Sequence, residues 1–293
     1  PELWGTDSWK SYWEEQLKRC REGYTVAGVK VTGHHYFYLN FCNIELVDDQ
    51  SSDQYSEKVT NFPDFWDGDF NYFWALEIAR RGIILPTPPD KRIITPNESE
   101  YLEIVQQKVE ILNGLHLDVA IPQEYLDGGH HMIVGKSRRK GYSYKNAAIA
   151  ANIYNHTRKS MTVIGAFDKK YLYPEGTMGM VSSYLNWLNQ NTGWAKAREY
   201  VDKQDHRKAS YKEEQNGIYL ESGYQSQVMA VTFKDNPDAA RGKDAKLVMF
   251  EEAGKFPNLK DSFRATEPSL MAGKYVTGQM AIFRTGGDME KDT

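Results

Sequence analysis

The sequence predicts an α/β fold in which a mostly parallel central sheet is flanked by helices and preceded by an N-terminal α/β extension. Short apolar runs alternate with helix-compatible stretches through the second half of the chain, which is typical of parallel sheets. A basic loop that contains glycine also joins an apolar run at 132–134 to a helix-compatible stretch at 143–156. With 293 residues, of which 40% are hydrophobic, the chain can bury one α/β core of substantial size.

The N-terminal part of the chain combines helical and extended patterns. Residues 9–21 and 70–81 carry apolar side chains at helical spacing and predict two helices. Residues 26–31 and 36–41 predict a small β element that is joined around Gly33.

A proline-rich segment separates this part from the rest of the chain. Residues 85–90 include three prolines, which interrupt regular structure and mark a linker or a surface strap. Residues 98–112 then show an apolar face at helical spacing and predict another helix. We therefore expect residues 1–95 to form an extension or lid that packs on a core formed by residues 96–293.

The core is expected to contain further strands after the run at 132–134. Their apolar runs lie at 162–166, 217–220, 228–233, 247–250 and 276–283. Because a glycine lies between the second and third of these runs, we expect a hairpin turn around residues 221–224. Alternation of strands with helices favours a parallel arrangement for most of them.

The loop that follows the run at 132–134 has the composition of a phosphate-binding site. It reads Lys136, Ser137, Arg138, Arg139, Lys140, Gly141, Tyr142 and Ser143. A helix N-terminus points backbone N–H groups and the positive end of the helix dipole at a bound anion. Lysine and arginine side chains in the same loop add positive charge for the phosphates. The segment therefore predicts a nucleotide-binding loop, and a basic surface turn between strand and helix is the alternative from the loop alone.

The position of the lysine departs from the usual phosphate-loop pattern. That pattern, G-x-x-x-x-G-K-[ST], has lysine directly after the second glycine, whereas Tyr142 follows Gly141 here. The lysine must come from elsewhere in the loop, and Lys136 and Lys140 are both candidates. Ser143 keeps the hydroxyl position that contacts Mg²⁺ in the usual pattern.

Two glutamates follow the apolar run at 247–250. Glu251 and Glu252 lie at its C-terminal end, which is where ligands bind in open α/β sheets. One carboxylate can hold Mg²⁺ through water, and the next can orient and deprotonate an attacking water. A phosphate loop and an acidic strand end together predict a Mg²⁺-dependent enzyme that hydrolyses nucleotides.

Charge and cysteine content exclude several other classes of protein. The net charge of −4 excludes a protein that coats DNA uniformly. Cys20 and Cys42 are too few and too scattered for a zinc site or a disulfide framework, which favours a reducing compartment. No apolar run approaches the ~20 residues that are needed to cross a membrane.

These motifs resemble those of the large terminase subunits of tailed bacteriophages, the ATP-driven motors that package viral DNA. Residues 136–143 are similar to the deviant Walker A of lambda-type terminases, in which the functional lysine begins the loop and a tyrosine follows the glycine. Residues 247–252 resemble the Walker B of the family with its catalytic glutamate. Residues 240–243 and 285–288 resemble the segment that precedes Walker B and the motif that couples hydrolysis to movement.

The resemblance implies a P-loop NTPase of the additional-strand, catalytic-glutamate class that uses ATP and Mg²⁺. It favours Lys136 over Lys140 as the lysine that contacts the phosphates. In this scheme Ser143 and Glu251 hold the metal, and Glu252 activates the attacking water.

We further expect arginines to act on the transferring phosphoryl group. Arg138 or Arg139 would stabilise its charge, with Arg241 as the alternative. Whether such an arginine acts in its own subunit or on a neighbour stays open. The expected coupling residues are Thr285, Gly286 and Gly287.

The resemblance also implies partners and a location. It implies a motor that moves viral double-stranded DNA into a procapsid in the host cytoplasm, without membrane association. Its partners would be DNA, a portal ring and a small terminase subunit. Its copies would form a ring when assembled, with a monomer in isolation as the alternative. The C-terminal nuclease domain of the family is expected to be absent from this chain.

Two other functions remain open from the sequence. One is another nucleic-acid-dependent ATPase such as a helicase, although no ordered set of helicase motifs follows the acidic strand end. The other is a module that binds nucleotide without hydrolysing it. The missing lysine after Gly141 and the glutamate at position 251, where aspartate is usual, favour that alternative.

Overall fold

The structure is a computed structural model that describes residues 4–47, 58–81, 129–137, 140–196, 199–202, 205–273 and 275–285. The chain divides into two compact units, one made of Pro1–Asp64 with Met132–Thr293 and the other of Phe65–His131. The predicted linker at 85–90 and the predicted helix at 98–112 lie outside the described residues. The division near residue 95 therefore stays a prediction.

Helices and strands alternate along the first unit, and the second unit contributes one described helix, α3. The described helices are α1 (Asp7–Glu22), α2 (Gly33–Phe41), α3 (Asp67–Arg81), α4 (Tyr142–His156), α5 (Thr177–Asn191) and α6 (Leu259–Thr266). The early strands are β1 (Tyr24–Val26), β2 (Val29–Val31), β3 (Ile44–Val47), β4 (Lys58–Asn61) and β5 (Met132–Lys136). The later strands are β6 (Met161–Ala166), β7 (Tyr200–Asp202), β8 (His206–Gln215), β9 (Ile218–Thr232), β10 (Leu247–Glu251), β11 (Met271–Ala272), β12 (Tyr275–Val276) and β13 (Gln279–Thr285).

Seven of these strands form the central sheet, in the order β5-β13-β10-β6-β9-β8-β7. The first five are parallel to one another, and β8 and β7 continue the sheet in antiparallel pairs. β13 lies between β5, which leads into the phosphate loop, and β10, which ends at the two glutamates. This is the additional strand of the predicted fold class, which the structure confirms.

Alternating side chains divide the core between the two faces of the sheet. Val248 and Phe250 of β10 pack in a buried cluster with Phe256, against which Leu259 and Phe263 of α6 also pack. Because successive residues of a strand point to opposite faces, the buried side chains at intervening positions lie on the other face. Those buried intervening side chains are Ile164, Leu247, Met249, Ala281 and Phe283.

Helix α4 is buried along almost its whole length. Its alanines at 147, 148, 150 and 151 have no exposed surface, and neither has Ile149. Alanine is the strongest helix former and its small side chain allows close approach, so this run favours a helix packed tightly against its neighbours. α4 contacts α5 as well as β6 and β9. It therefore connects the end of the phosphate loop to the body of the first unit.

The N-terminal helices of the first unit pack against the C-terminal half of α4. Asn152 donates a hydrogen bond to the carbonyl of Cys20 at 2.9 Å, and Arg21 donates to the carbonyl of His156 at 2.8 Å. The ring of Trp13 lies edge-on to that of Trp194, with 5.0 Å between centroids. Residues 4–47 thus pack on the later part of the first unit through polar and aromatic groups together.

The predicted strand at residues 36–41 is wrong, because this segment forms α2. Thr32 caps the helix by accepting a hydrogen bond from the amide of His35 at 3.2 Å. The rings of Phe37 and Phe41 then meet one helical turn apart, at 5.9 Å. Aromatic residues favour strands on average, but a cap and a buried helical face outweigh that preference here.

The predicted hairpin turn at residues 221–224 is also wrong. The turn lies at Asn216 and Gly217, both of which have positive φ angles, 55° and 77°. An Asn-Gly pair suits a two-residue hairpin turn because both positions require left-handed backbone. β9 continues without interruption from Ile218 to Thr232, so the two predicted strands at 217–220 and 228–233 are one.

A buried ion pair ties β8 to the segment that precedes β7. Arg207 donates to both carboxylate oxygens of Glu199, at 2.8 and 2.7 Å, and Tyr154 donates to the same carboxylate at 2.6 Å. Burial alone would raise the pKa of Glu199, but the hydrogen bonds from Arg207 and Tyr154 outweigh it and lower that pKa below 4.5.

The described helices include none that is long and apolar enough to cross a bilayer.

Replacing Glu199 by Gln is expected to lower the free energy of unfolding by about 3–5 kcal/mol, because it leaves the buried Arg207 guanidinium without its carboxylate. Urea unfolding at neutral pH measures the change. Glu15, which pairs with Arg19 on the surface at 2.9 Å, is the matched control. Glu15→Gln should change the free energy by less than about 1 kcal/mol.

The difference in stability between wild type and Glu199→Gln is expected to depend on pH. Because the pKa of Glu199 is lowered in the folded chain, the unfolded chain binds more protons as the pH falls below 4.5. The stabilisation by the carboxylate is therefore full above pH 4.5 and is lost as the pH falls through the folded pKa. A difference that stayed constant down to acid unfolding would contradict this assignment.

Candidate nucleotide site

Parallel pairing brings the ends of β5, β13 and β10 to one edge of the sheet. Lys136, the last residue of β5, lies opposite Thr285 at the end of β13. Phe250, near the end of β10, lies opposite Ile282 of the same central strand. Ligands bind outside the carboxyl ends of strands in open α/β sheets, so this edge is the expected place for a site.

The predicted phosphate lysine and the predicted catalytic glutamate meet across this edge. The Nζ atom of Lys136 lies 3.0 Å from Oε1 of Glu252, and their side chains are 9% and 27% exposed. The other candidate lysine, Lys140, has an exposed side chain. The two motifs therefore face each other, and the lysine that reaches across is the one at the start of the loop.

Glu252 has a left-handed backbone conformation, with φ at 50°. This region is unfavourable for residues other than glycine and occurs often at functional sites, where the surrounding structure holds the strain. A short turn at Ala253–Lys255 follows directly, and the amide of Lys255 donates to the carbonyl of Glu252 at 2.9 Å. The turn redirects the chain at the end of β10, so that Glu251 and Glu252 enter different surroundings.

Glu251 is buried, with 2% of its surface exposed, and it accepts two hydrogen bonds. Asn146 of α4 donates to Oε1 at 2.7 Å, and Thr177 of α5 donates to the same oxygen at 3.0 Å. Burial raises the pKa of Glu251, although the bond from Asn146 and the charge of Lys136 act against this. The carboxylate is thus held by uncharged donors rather than by an ion pair.

The end of the phosphate loop is held by backbone and lysine contacts. Gly141 has left-handed backbone, with φ at 67°, and precedes the first turn of α4. The buried Lys145 reaches back, so that its Nζ donates to the carbonyl of Lys140 at 2.9 Å. The same ammonium lies 4.1 Å from the centroid of the Tyr142 ring. These contacts support the orientation of the loop at the helix N-terminus.

The remaining predicted site residues have varied positions. Ser143 is half-buried in the first turn of α4, and Ser137 is exposed just after β5. Arg241, the alternative arginine, is 70% exposed and lies 3.7 Å from Asp238. The backbone of Thr285 completes β13. Arg138, Arg139, Gly286 and Gly287 lie outside the described residues.

The chemistry of this edge suits a metal–nucleotide complex rather than a metal held by protein alone. No group of three or more His, Cys, Asp or Glu side chains could hold a metal within the described ranges. Mg²⁺ in nucleotide sites usually takes one or two protein oxygens and completes its shell with phosphates and water. Glu251 and the Ser143 hydroxyl are donors of this kind, and a helix N-terminus with Lys136 suits the phosphates.

Three residues of the site were not identified from the sequence. Asn146 and Lys145 follow the predicted loop and directly precede a run of apolar residues at 147–151, and polar residues at this point are a signal that sequence reading can use. Thr177 was not identified because the helix that it begins was not predicted. Its contact with Glu251 depends on how α5 packs against α4.

Comparisons with known proteins give structural neighbours of low sequence identity. No model of a known protein family matches the sequence, and no curated protein matches it. Three similar solved structures are phage large terminases or their ATPase domains. They belong to the family whose motifs the sequence resembles.

Two of these structures are ATPase domains from the large terminase of Thermus phage P74-26. One is an arginine-to-alanine mutant, with 16% identity, a TM-score of 0.44, and coverage of 61% of this chain and 70% of that chain. The other has 16% identity, a TM-score of 0.43, and coverage of 55% and 62%. The third is the HK97 bacteriophage large terminase, with 11% identity, a TM-score of 0.39, and coverage of 71% of this chain and 36% of that one.

Gly141→Ala is expected to lower the free energy of unfolding by about 1–2 kcal/mol, because alanine is disfavoured in left-handed backbone. A Cβ at this position would meet no atom of the described residues within 4 Å. The change in the free energy of unfolding therefore reports the backbone conformation rather than a steric clash. Urea unfolding measures it. Gly135 in β5 has the same open surroundings without a positive φ, so Gly135→Ala should be neutral or slightly stabilising. Equal losses in both variants would contradict the expectation.

Proposed function

We propose that this chain is a Mg²⁺-dependent ATPase domain that drives the translocation of viral double-stranded DNA into a procapsid. One observation carries the enzymatic part of the proposal. Lys136 at the end of β5 and Glu252 after β10 meet at 3.0 Å, while β13 lies between their strands. A phosphate chain bound at this edge would contact both the basic loop and the carboxylate once the ion pair opens.

In this proposal the phosphates of ATP lie on the loop at the N-terminus of α4. Backbone N–H groups of the first helical turn and the helix dipole favour the negative charge there. Lys136 contacts the outer phosphates, and Ser143 and Glu251 are the residues that would hold Mg²⁺. The metal, when bound, neutralises charge that develops on the transferring phosphoryl group.

Glu252 is the proposed base for the attacking water. A carboxylate in this role must lie within hydrogen-bonding reach of the water, and its partial exposure leaves it accessible. Lys136 occupies one of its oxygens, so the ion pair must open or shift when phosphates compete for the lysine. The phosphates are a stronger partner for lysine than one carboxylate, because they carry more negative charge.

The role in DNA packaging rests on the resemblance of the sequence motifs to large terminases. Its proposed partners are double-stranded DNA, a portal ring and a small terminase subunit, and its copies would assemble as a ring in the host cytoplasm. Arg138 or Arg139 would stabilise the transferring group. Thr285, Gly286 and Gly287 would transmit the state of the nucleotide, because β13 ends beside Lys136.

The ion pair itself favours a second candidate function. If Lys136 kept its contact with Glu252 after ATP bound, the carboxylate could not act on water, and the chain would bind ATP without hydrolysing it. A measurement of ATP hydrolysis separates the two functions, because only the ATPase releases phosphate. Stimulation of ATP hydrolysis by double-stranded DNA, and a further dependence on a portal ring, would then separate a packaging motor from another nucleic-acid ATPase.

Glu252→Gln is expected to bind ATP normally and to lose about 10²–10⁴-fold in turnover, because the amide cannot accept the proton of water. Binding of a fluorescent ATP analogue and release of phosphate measure the two properties. Glu267→Gln, at an exposed glutamate outside the site, is the control and should match wild type. Full turnover in Glu252→Gln would remove this residue from the mechanism.

Lys136→Ala is expected to weaken binding of the ATP analogue by tenfold or more, since a hydrogen bond to a charged group is worth about 1.5–3 kcal/mol. Lys140→Ala is the matched control from the same loop, and its backbone carbonyl can still accept the bond from Lys145. A loss of affinity confined to Lys140→Ala would overturn the assignment of the phosphate lysine.

A further inference from the structure

The carboxylate of Glu251 is held by side chains from two different helices. Asn146 of α4 and Thr177 of α5 donate to the same oxygen, at 2.7 and 3.0 Å. Asn146, Thr177 and Glu251 are 0%, 1% and 2% exposed respectively, so the two hydrogen bonds form away from solvent. A hydrogen bond to a buried charged group is stronger than one between neutral groups. The two donors therefore hold the Glu251 carboxylate in one orientation.

The two donors occupy different positions in their helices. Asn146 directly precedes the alanine-rich run of α4, and asparagine is a weaker helix former than alanine. Thr177 is the first residue of α5, and its hydroxyl donates to Glu251. The side chain of Asn146 is therefore placed for the carboxylate at some expense in helix propensity.

The position of Thr177 is fixed by the loop that precedes α5. The amides of Met178 and Gly179 both donate to the carbonyl of Leu172, at 2.9 and 3.1 Å. A Cβ on Gly176 would collide with the carbonyl of Tyr171. The first turn of α5 thus packs directly on backbone, which leaves the Thr177 hydroxyl little freedom to move away from Glu251.

We propose that Asn146 and Thr177 are positioning residues that set the orientation of Glu251 toward a metal-bound water. The inference rests on the proposed function, in which Glu251 holds Mg²⁺. Because both donors bind Oε1, the second oxygen, Oε2, would be the one left to accept from a water bound to the metal. Removing a donor frees the carboxylate to rotate, and groups that orient metal ligands typically affect metal affinity by about 10–100-fold.

The experiment compares Thr177→Val and Asn146→Leu with wild type in the binding of a non-hydrolysable fluorescent ATP analogue. Each protein is titrated with Mg²⁺ at a fixed concentration of analogue, and binding is measured again in excess EDTA. Both variants should need about tenfold more Mg²⁺ for half-maximal binding. Their affinity for the analogue in EDTA should match wild type, because the phosphate loop is intact.

Two further variants separate positioning from general loss of structure. Thr177→Ser keeps the hydroxyl and should restore the Mg²⁺ dependence of wild type. Thr192→Val removes a hydroxyl from the opposite end of α5, where Thr192 donates to the carbonyl of Leu188 at 2.7 Å. This control should also behave as wild type. Thermal unfolding of each variant shows that it is folded at the temperature of the titration.

Each contrary result has a distinct meaning. Unchanged Mg²⁺ dependence in both Thr177→Val and Asn146→Leu would overturn the inference but would leave the proposed function in place. The inference would also be wrong if Thr192→Val shifted equally, or if affinity fell as much in EDTA as in Mg²⁺. Wild-type protein that bound no analogue under any condition would overturn the proposed function, and the inference with it.

Discussion

The parallel insertion of β13 between β5 and β10 is the constraint on which the candidate site depends. Neighbouring strands lie about 4.8 Å apart, so two spacings separate the ends of β5 and β10 by roughly 10 Å. A long side chain can bridge that gap, which is why Lys136 reaches Glu252. Direct pairing of β5 with β10 would close the gap and leave no room for a phosphate chain between the loop and the carboxylates.

The two glutamates have different environments although they are adjacent in sequence. Glu251 ends a buried strand and is surrounded by the interior, where uncharged donors hold it. Glu252 follows in left-handed backbone, remains partly exposed, and pairs with a lysine. Two carboxylates in different surroundings can take different roles, one held in place and one accessible to water. The turn at 253–255 is what separates these environments.

Much of the fold could be predicted from the sequence because its signals are local. The apolar run at 247–250 and the alanine-rich helix at 143–156 each carry their own pattern, and each forms as predicted. The segment at 36–41 could not be predicted in this way, because its aromatic residues favour a strand on average whereas the segment forms a helix. A cap at Thr32 and packing against other helices decide its conformation.

The site was predictable only where its residues share a motif. Lys136, Glu251 and Glu252 belong to recognisable runs, and their meeting follows from strand order. Asn146 and Thr177 reach Glu251 from helices that come together only through tertiary packing. Such contacts cannot be recognised from one sequence, since the two donors lie 105 and 74 positions from the carboxylate. Helix α5 was not predicted, although its buried Met178, Val181, Leu185 and Leu188 recur at helical spacing.

The β8–β9 hairpin extends past the sheet to which it belongs. β9 pairs with β6 only through residues 227–232, whereas its pairing with β8 continues outward to the turn at Asn216 and Gly217. Residues 212–221 are exposed on both strands of this ribbon. The outer part therefore contributes little to the buried core. Changes in its length or in its side chains are therefore expected to leave the sheet edge at Lys136 and Glu252 undisturbed.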